Sequence, residues 1–298
     1  MADLTKLQGC GPAIITPFHE DKRLDLETLK KLVNFQLKNG VNFIVPCGTT
    51  GESATMTLDE HLQVVETVVK QVKGRVPVIA GAGCNNTVHV IHLAKEIEKI
   101  GADGILSVAP YYNKPSQEGL YQHFKAIANS ISLPVVLYNV PGRTASNIAN
   151  DTVIRLAEID NVVALKEATG NIAQMTDLAM RKPDDFILLS GDDSNALPLI
   201  ALGGKGLISV AANEIPRETT EFVTACLNGK FDEAIALQKK IYPIMRDNFL
   251  DSNPVPVKAA MQLMGLIPAA YYRLPLVPME PGKLEQLKQT LRQIGLIP

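Results

Sequence analysis

Short β-branched apolar runs alternate along the chain with longer amphipathic stretches. The runs centre on Ile14, Ile44, Ile79, Ile105, Val136, Val163, Leu188 and Ile208, at intervals of about 20–35 residues, the spacing of βα units. Between them, Leu26, Leu29, Leu32 and Val33 share one helical face, and Leu58, Leu62, Val65, Val68, Val69 and Val72 share another. Asp25 precedes the first of these helices. Thr57 opens the second with Glu60 one turn on, a capping-box pattern in which side chains satisfy the free N–H groups of the first turn. Strands apolar on both faces belong to a parallel sheet covered by helices, and eight βα units close a TIM (β/α)8 barrel. The pattern therefore predicts an α/β fold of that kind.

Sequence remains after the last apolar run. Pro216 to Leu227 completes the eighth unit, while Phe231 to Met245, Pro256 to Met264 and Lys283 to Ile294 predict a C-terminal helical extension. The barrel is expected over 1–228 and the extension, packed on it, over 229–298. Prolines in Asn253-Pro254-Val255-Pro256 and from Pro275 to Pro281 divide the extension into pieces. An open doubly wound sheet is the alternative arrangement. It lacks its fingerprint here, since Gly81-Ala82-Gly83 has no third glycine.

Composition narrows the functional classes. Hydrophobic residues make up 46% of the 298 positions, enough for a sizeable core. A net charge of −2, with both signs scattered, provides no basic face for nucleic acid. The apolar runs stop at strand length, so no membrane span is expected, and Met1 to Lys6 shows no signal-peptide apolar region. Cys10, Cys47, Cys84 and Cys226 are widely spaced, which suits free thiols in a reducing cytoplasm.

The candidate chemistry gathers at the strand ends. Lys166 closes the run Val162-Val163-Ala164-Leu165, and Tyr138 lies at the end of the run that leads into Pro141-Gly142-Arg143-Thr144. In a barrel, the carboxyl ends of the strands meet at one mouth. Thr49 and Thr50, Tyr111 and Tyr112, Tyr138, Lys166, Gly191 and Ile208 all map to that rim. A lysine among Val, Ala and Leu is poorly solvated as an ammonium, so its pKa should fall and free the amine to attack a carbonyl. The tyrosine phenol can pass protons. The glycines of Gly48-Thr49-Thr50-Gly51-Glu52 permit a turn whose N–H groups converge on an anion. Arg143 offers a planar fork to a carboxylate. The histidines at 19, 61, 89, 92 and 123 show no metal-ligand spacing, so no metal is expected.

Taken together, the Lys166 and Tyr138 runs and the Gly48–Glu52 turn resemble the pyruvate-dependent class I aldolase and lyase superfamily. Within it, the Thr49-Thr50 pair and Gly142-Arg143-Thr144 are similar to the dihydrodipicolinate synthase family. The resemblance runs from Gly11-Pro12-Ala13 and Thr16-Pro17-Phe18 to the C-terminal helices. It implies a cofactor-free reaction of pyruvate with aspartate semialdehyde, with Lys166 as the imine-forming amine. Tyr138, Thr49 and Tyr112 would form a proton relay, and Thr50 would hold the carboxylate of pyruvate. Arg143 would hold that of the second substrate, with Gly191 and Ile208 also in the substrate site. It further implies a homotetramer built as a dimer of dimers, in which Tyr112 enters the neighbouring subunit's site. Ser53, Ala54, His61, Asn85 and Tyr111 match a cleft where family members bind lysine as a feedback inhibitor, and His89 falls in the same candidate cleft. Two positions depart from that pattern, because Leu58 stands where a histidine is often found and His89 replaces a glutamate. N-acetylneuraminate lyases and 2-keto-3-deoxy sugar-acid aldolases share the lysine and tyrosine but generally lack the arginine. A catalytically silent binding protein would have no physical need of the full set.

Overall fold

In a computed structural model of the chain, Leu4 and residues 7–298 are described. The Met1–Lys6 segment, apart from Leu4, lies outside them. Seven strands form one sheet: β1 (Gly9–Pro12), β2 (Ile79–Gly81), β3 (Gly104–Val108), β4 (Val135–Asn139), β5 (Val162–Glu167), β6 (Ile187–Ser190) and β7 (Gly206–Ser209). Their order is β1-β7-β6-β5-β4-β3-β2 and every pairing is parallel.

The gap between β1 and β2 is filled by the extended segment 42–46. On one side Asn42 and Val45 N–H groups donate to the Cys10 and Pro12 carbonyls at 2.8 and 3.0 Å. On the other, Ile44 N–H donates to Pro77 O and Ile79 N–H to Ile44 O, both at 3.0 Å. Parallel bridges Ala13–Val45 and Ile44–Val78 complete the ring. The run centred on Ile44 is thus the eighth stave, though it forms isolated bridges where a continuous strand was expected. Pro12, Pro46 and Pro77 have no N–H to give, which interrupts the ladder there. The first strand also differs from expectation, ending at Pro12 so that Ile14 lies beyond it. Asn213 takes over that backbone, accepting from Ile15 N–H at 3.0 Å and donating to Ala13 O at 2.8 Å.

The helices outside the sheet follow the sequence signals closely. Asp25 caps α1 (Leu26–Lys38), accepting from Thr28 N–H. Thr57 and Glu60 form the full capping box of α2 (Leu58–Val72). His61, Val64, Val65, Val68 and Val72 make the buried face of α2, whereas Leu58 is 41% exposed. Leu58 has the right angular position but sits in the first turn, beyond the end of the core. Next come α3 (Thr87–Ile100), α4 (Gln117–Ala128), the single turn α5 (Pro141–Thr144), α6 (Asn150–Ala157), α7 (Ile172–Arg181), α8 (Ala196–Ala201) and α9 (Pro216–Leu227). Then follow α10 (Phe231–Asp247), α11 (Val255–Leu263) and α12 (Pro281–Gln293).

Strand alternation sorts the core into layers. Phe43, Val45, Ile79, Leu106, Val136, Ala164, Leu189 and Ile208 fill the barrel interior. Leu137, Leu165 and Leu188 face outward against the helices. The last helices pack on the same body, with Phe222, Ile241, Met245, Ala260 and Leu291 clustering around Cys10 and Leu207 of the sheet.

Candidate active site

The period-two alternation of the strands builds the centre of the site. Val136 and Tyr138 on β4 point inward, as do Ala164 and Lys166 on β5, and the register places Tyr138 directly beside Lys166. The Lys166 ammonium nitrogen lies 4.2 Å from the centre of the Tyr138 ring. Lys166 is 6% exposed. Burial lowers its pKa to about 7; Asp193 opposes that shift and Arg143 adds to it. A large share of the amine is therefore neutral near pH 7, as a nucleophile requires. Burial raises the Tyr138 phenol, while Arg143 and a hydrogen bond with Thr49 pull it back.

Neighbouring strand ends complete the surroundings. Gly191, just after β6, has a physical reason to lack a side chain. A Cβ there would come within 2.9 Å of both Lys166 Cε and Ala168 Cβ. Ile208 of β7 is buried in the barrel interior. Asp193 is buried and pushed up to about 6. It accepts from the Ser209 hydroxyl and from the Val210 and Ala211 N–H groups, tying the ends of β6 and β7 together.

The 48–52 loop lies across the mouth. The Thr50 hydroxyl is buried and accepts from Asn253 Nδ2 at 2.9 Å, while Thr16 Oγ1 donates to Gly51 O at 2.7 Å. Arg143 lies in the single turn α5, two residues after Pro141. Thr49, Tyr138 and Arg143 all line one cavity of about 420 Å³. Lys166 is not in that lining but lies against Tyr138, which is.

The same cavity continues outward past Ser53, Ala54, His61 and Tyr111. These are four of the six residues expected in an effector cleft. His61 is fixed by a 2.8 Å hydrogen bond between Nε2 and Gly81 O; burial lowers its pKa, against which the Gly81 bond acts. Asn85 and His89 do not line the cavity. The Asn85 carbonyl accepts from Asn113, and His89 is exposed in the first turn of α3. Tyr112 also stands apart, at 88% exposure and φ 74°, with its side chain outside its own barrel's cavity.

Sequence reasoning missed three contributors. Asp193 was visible as half of an acidic pair, Asp192-Asp193, just past a strand end. Asn253 lies in a proline-rich break, where the sequence pattern marks a chain turn and not a site. Lys258 on α11 pairs with Glu52 at 2.6 Å and carries no local signal at all, because Glu52 is about 200 residues away in sequence. Among the described residues, no group of three or more His, Cys, Asp or Glu side chains is placed to hold a metal ion, and no helix is long and apolar enough to cross a membrane.

Comparison with known proteins adds to this geometry. The family model for the dihydrodipicolinate synthetase family matches residues 6–294. A 4-hydroxy-tetrahydrodipicolinate synthase of Chloroherpeton thalassium is 51% identical over 293 residues, covering 98% of this chain and 97% of the relative. A dihydrodipicolinate synthase of Acinetobacter baumannii, solved in complex with pyruvate, superposes with a TM-score of 0.95 at 43% identity. That match covers 97% of this chain and 99% of the other. A dihydrodipicolinate synthase variant described as monomeric has a TM-score of 0.96 at 43% identity, with 99% of each chain covered.

Proposed function

The chain belongs to the dihydrodipicolinate synthetase family, and from that premise we propose how its residues condense pyruvate with (S)-aspartate semialdehyde to 4-hydroxy-tetrahydrodipicolinate. The observation that carries the proposal is the buried Lys166 beside Tyr138, with its pKa lowered to about 7. The neutral amine attacks the keto carbon of pyruvate. Tyr138 supplies the proton with which the carbinolamine loses water, and takes one as the imine becomes an enamine. Thr49, hydrogen-bonded to Tyr138, passes the proton on, and the partner subunit's Tyr112 links the pair to solvent. Thr50 and the adjoining N–H groups of the loop hold the carboxylate of pyruvate, which fixes the keto carbon next to the amine.

The enamine carbon then attacks the aldehyde while Arg143 holds the second carboxylate. The semialdehyde's own amine displaces Lys166 to close the ring, releasing the enzyme. Gly191 leaves room for the lysine side chain as it moves between these states. The imine is the electron sink, so no metal or cofactor is needed for the chemistry.

The exposed Tyr112 fits a role across a subunit boundary, and the assembly proposed is a homotetramer of two tight dimers. Scattered free thiols suit a cytoplasmic location. The test is a coupled assay with both substrates. Cyclic product formed from pyruvate and aspartate semialdehyde, and not from sugar aldehydes, is the expected result. A preference for N-acetylmannosamine or a sugar aldehyde would favour the lyase alternative.

A further inference from the structure

Two non-glycine residues in the left-handed region, Cys47 (φ 55°) and Glu52 (φ 56°), bracket the Thr49-Thr50 turn. Such conformations persist only where the surroundings fix them. At Glu52 the surroundings come from the C-terminal extension. Lys258, fully buried on α11, donates to Glu52 Oε1 at 2.6 Å, to Thr16 O at 3.1 Å and to Tyr271 O at 2.6 Å. Those contacts match the three donors of an ammonium group. Arg273 N–H also reaches Glu52 Oε2, at 3.4 Å.

Five residues earlier, just before the start of α11, Asn253 donates to Thr50 Oγ1. An amide donating to that oxygen leaves the threonine's own O–H free to point at a ligand. The other end of the amide, Asn253 Oδ1, is buried with no hydrogen-bond partner among the described residues. An unpaired buried acceptor costs stability, which offsets what the bond to Thr50 contributes to folding.

We infer that Lys258 and Asn253 are positioning residues for pyruvate: the C-terminal extension sets the conformation of the carboxylate-binding loop, Lys258 acting through Glu52 and Asn253 through Thr50. This rests on the reading that Thr50 and its neighbouring N–H groups hold the pyruvate carboxylate.

The test compares half-saturation by pyruvate in borohydride trapping, half-saturation by aspartate semialdehyde in turnover, and melting temperature. The variants are Lys258→Met/Glu52→Gln, Asn253→Leu and Thr50→Val. Replacing a buried ion pair by neutral groups of similar size is often neutral for stability, so the double variant should still fold. Half-saturation by pyruvate should rise about tenfold in the double variant and about fivefold in Asn253→Leu, the scale of one or two lost hydrogen bonds. Half-saturation by the semialdehyde should stay put, and Asn253→Leu should melt no lower than the parent.

Unchanged pyruvate half-saturation in the folded double variant would overturn the inference, as would equal losses for both substrates that track a lower melting temperature. If the double variant does not fold, Asn253→Leu decides by the same outcomes. Thr50→Val separates two kinds of failure. If it leaves pyruvate half-saturation unchanged, the reading of Thr50 itself is wrong and the inference goes with it. If it raises that value while the extension variants do not, only the inference fails.

Discussion

Lys166 depends on neighbours that act on it through charge as well as contact. Burial lowers its pKa, Arg143 lowers it further, and the buried Asp193 raises it. Only the neutral amine attacks, so imine formation should fall as pH drops below about 7, by roughly tenfold per unit once protonation dominates. Asp193→Asn removes the negative charge that holds the ammonium. The acid limb of the imine-formation profile should then move to lower pH, and a limb that stays put or moves up would exclude Asp193 from this role. Arg143→Ala probes a different step. Losing a charge-assisted contact to a carboxylate costs about 1.5–3 kcal/mol, roughly ten- to a hundredfold in kcat/KM for the semialdehyde. Imine formation with pyruvate, measured at a pH above the acid limb so that the Lys166 amine is neutral in both proteins, should be much less affected. Equal loss of both would make Arg143 a support of the loop.

Among the elements, the strands and helices were legible wherever local chemistry decides the backbone. Thr57 with Glu60 and Asp25 gave two helix starts, and the inward parity of Tyr138 and Lys166 follows directly from strand alternation. The errors fell where distant groups intervene. Asn213 captures the backbone after Pro12 from some 200 residues away, and Lys258 reaches Glu52 across a comparable stretch. No local pattern encodes such pairings. The adjacent helices α2 and α3 carry the two departures from the expected effector-cleft pattern, Leu58 and His89, both exposed in first turns. Among the described residues that line the cavity none is Asp or Glu, so a cationic amino acid lacks a counter-charge there. Lysine should therefore inhibit weakly or not at all, and His89→Glu should strengthen inhibition. Potent inhibition of the unmodified enzyme by micromolar lysine would contradict this.

For the whole molecule, the barrel supplies the cavity, Lys166 and the loop, but Tyr112 points away from its own site. If it completes a neighbour's relay, specific activity should fall as the oligomer is diluted through dissociation, with the species followed by analytical ultracentrifugation. A monomer of full specific activity would remove Tyr112 from catalysis. The covalent step remains the point on which every other role depends. Intact-mass spectrometry after treatment with pyruvate and borohydride tests it most directly, with the modified lysine located by peptide mapping. One reduced pyruvate adduct per chain, on Lys166 and absent from a folded Lys166→Ala variant, is the expected result; an adduct that persists in that variant, on Lys205 or Lys114 for instance, would contradict it.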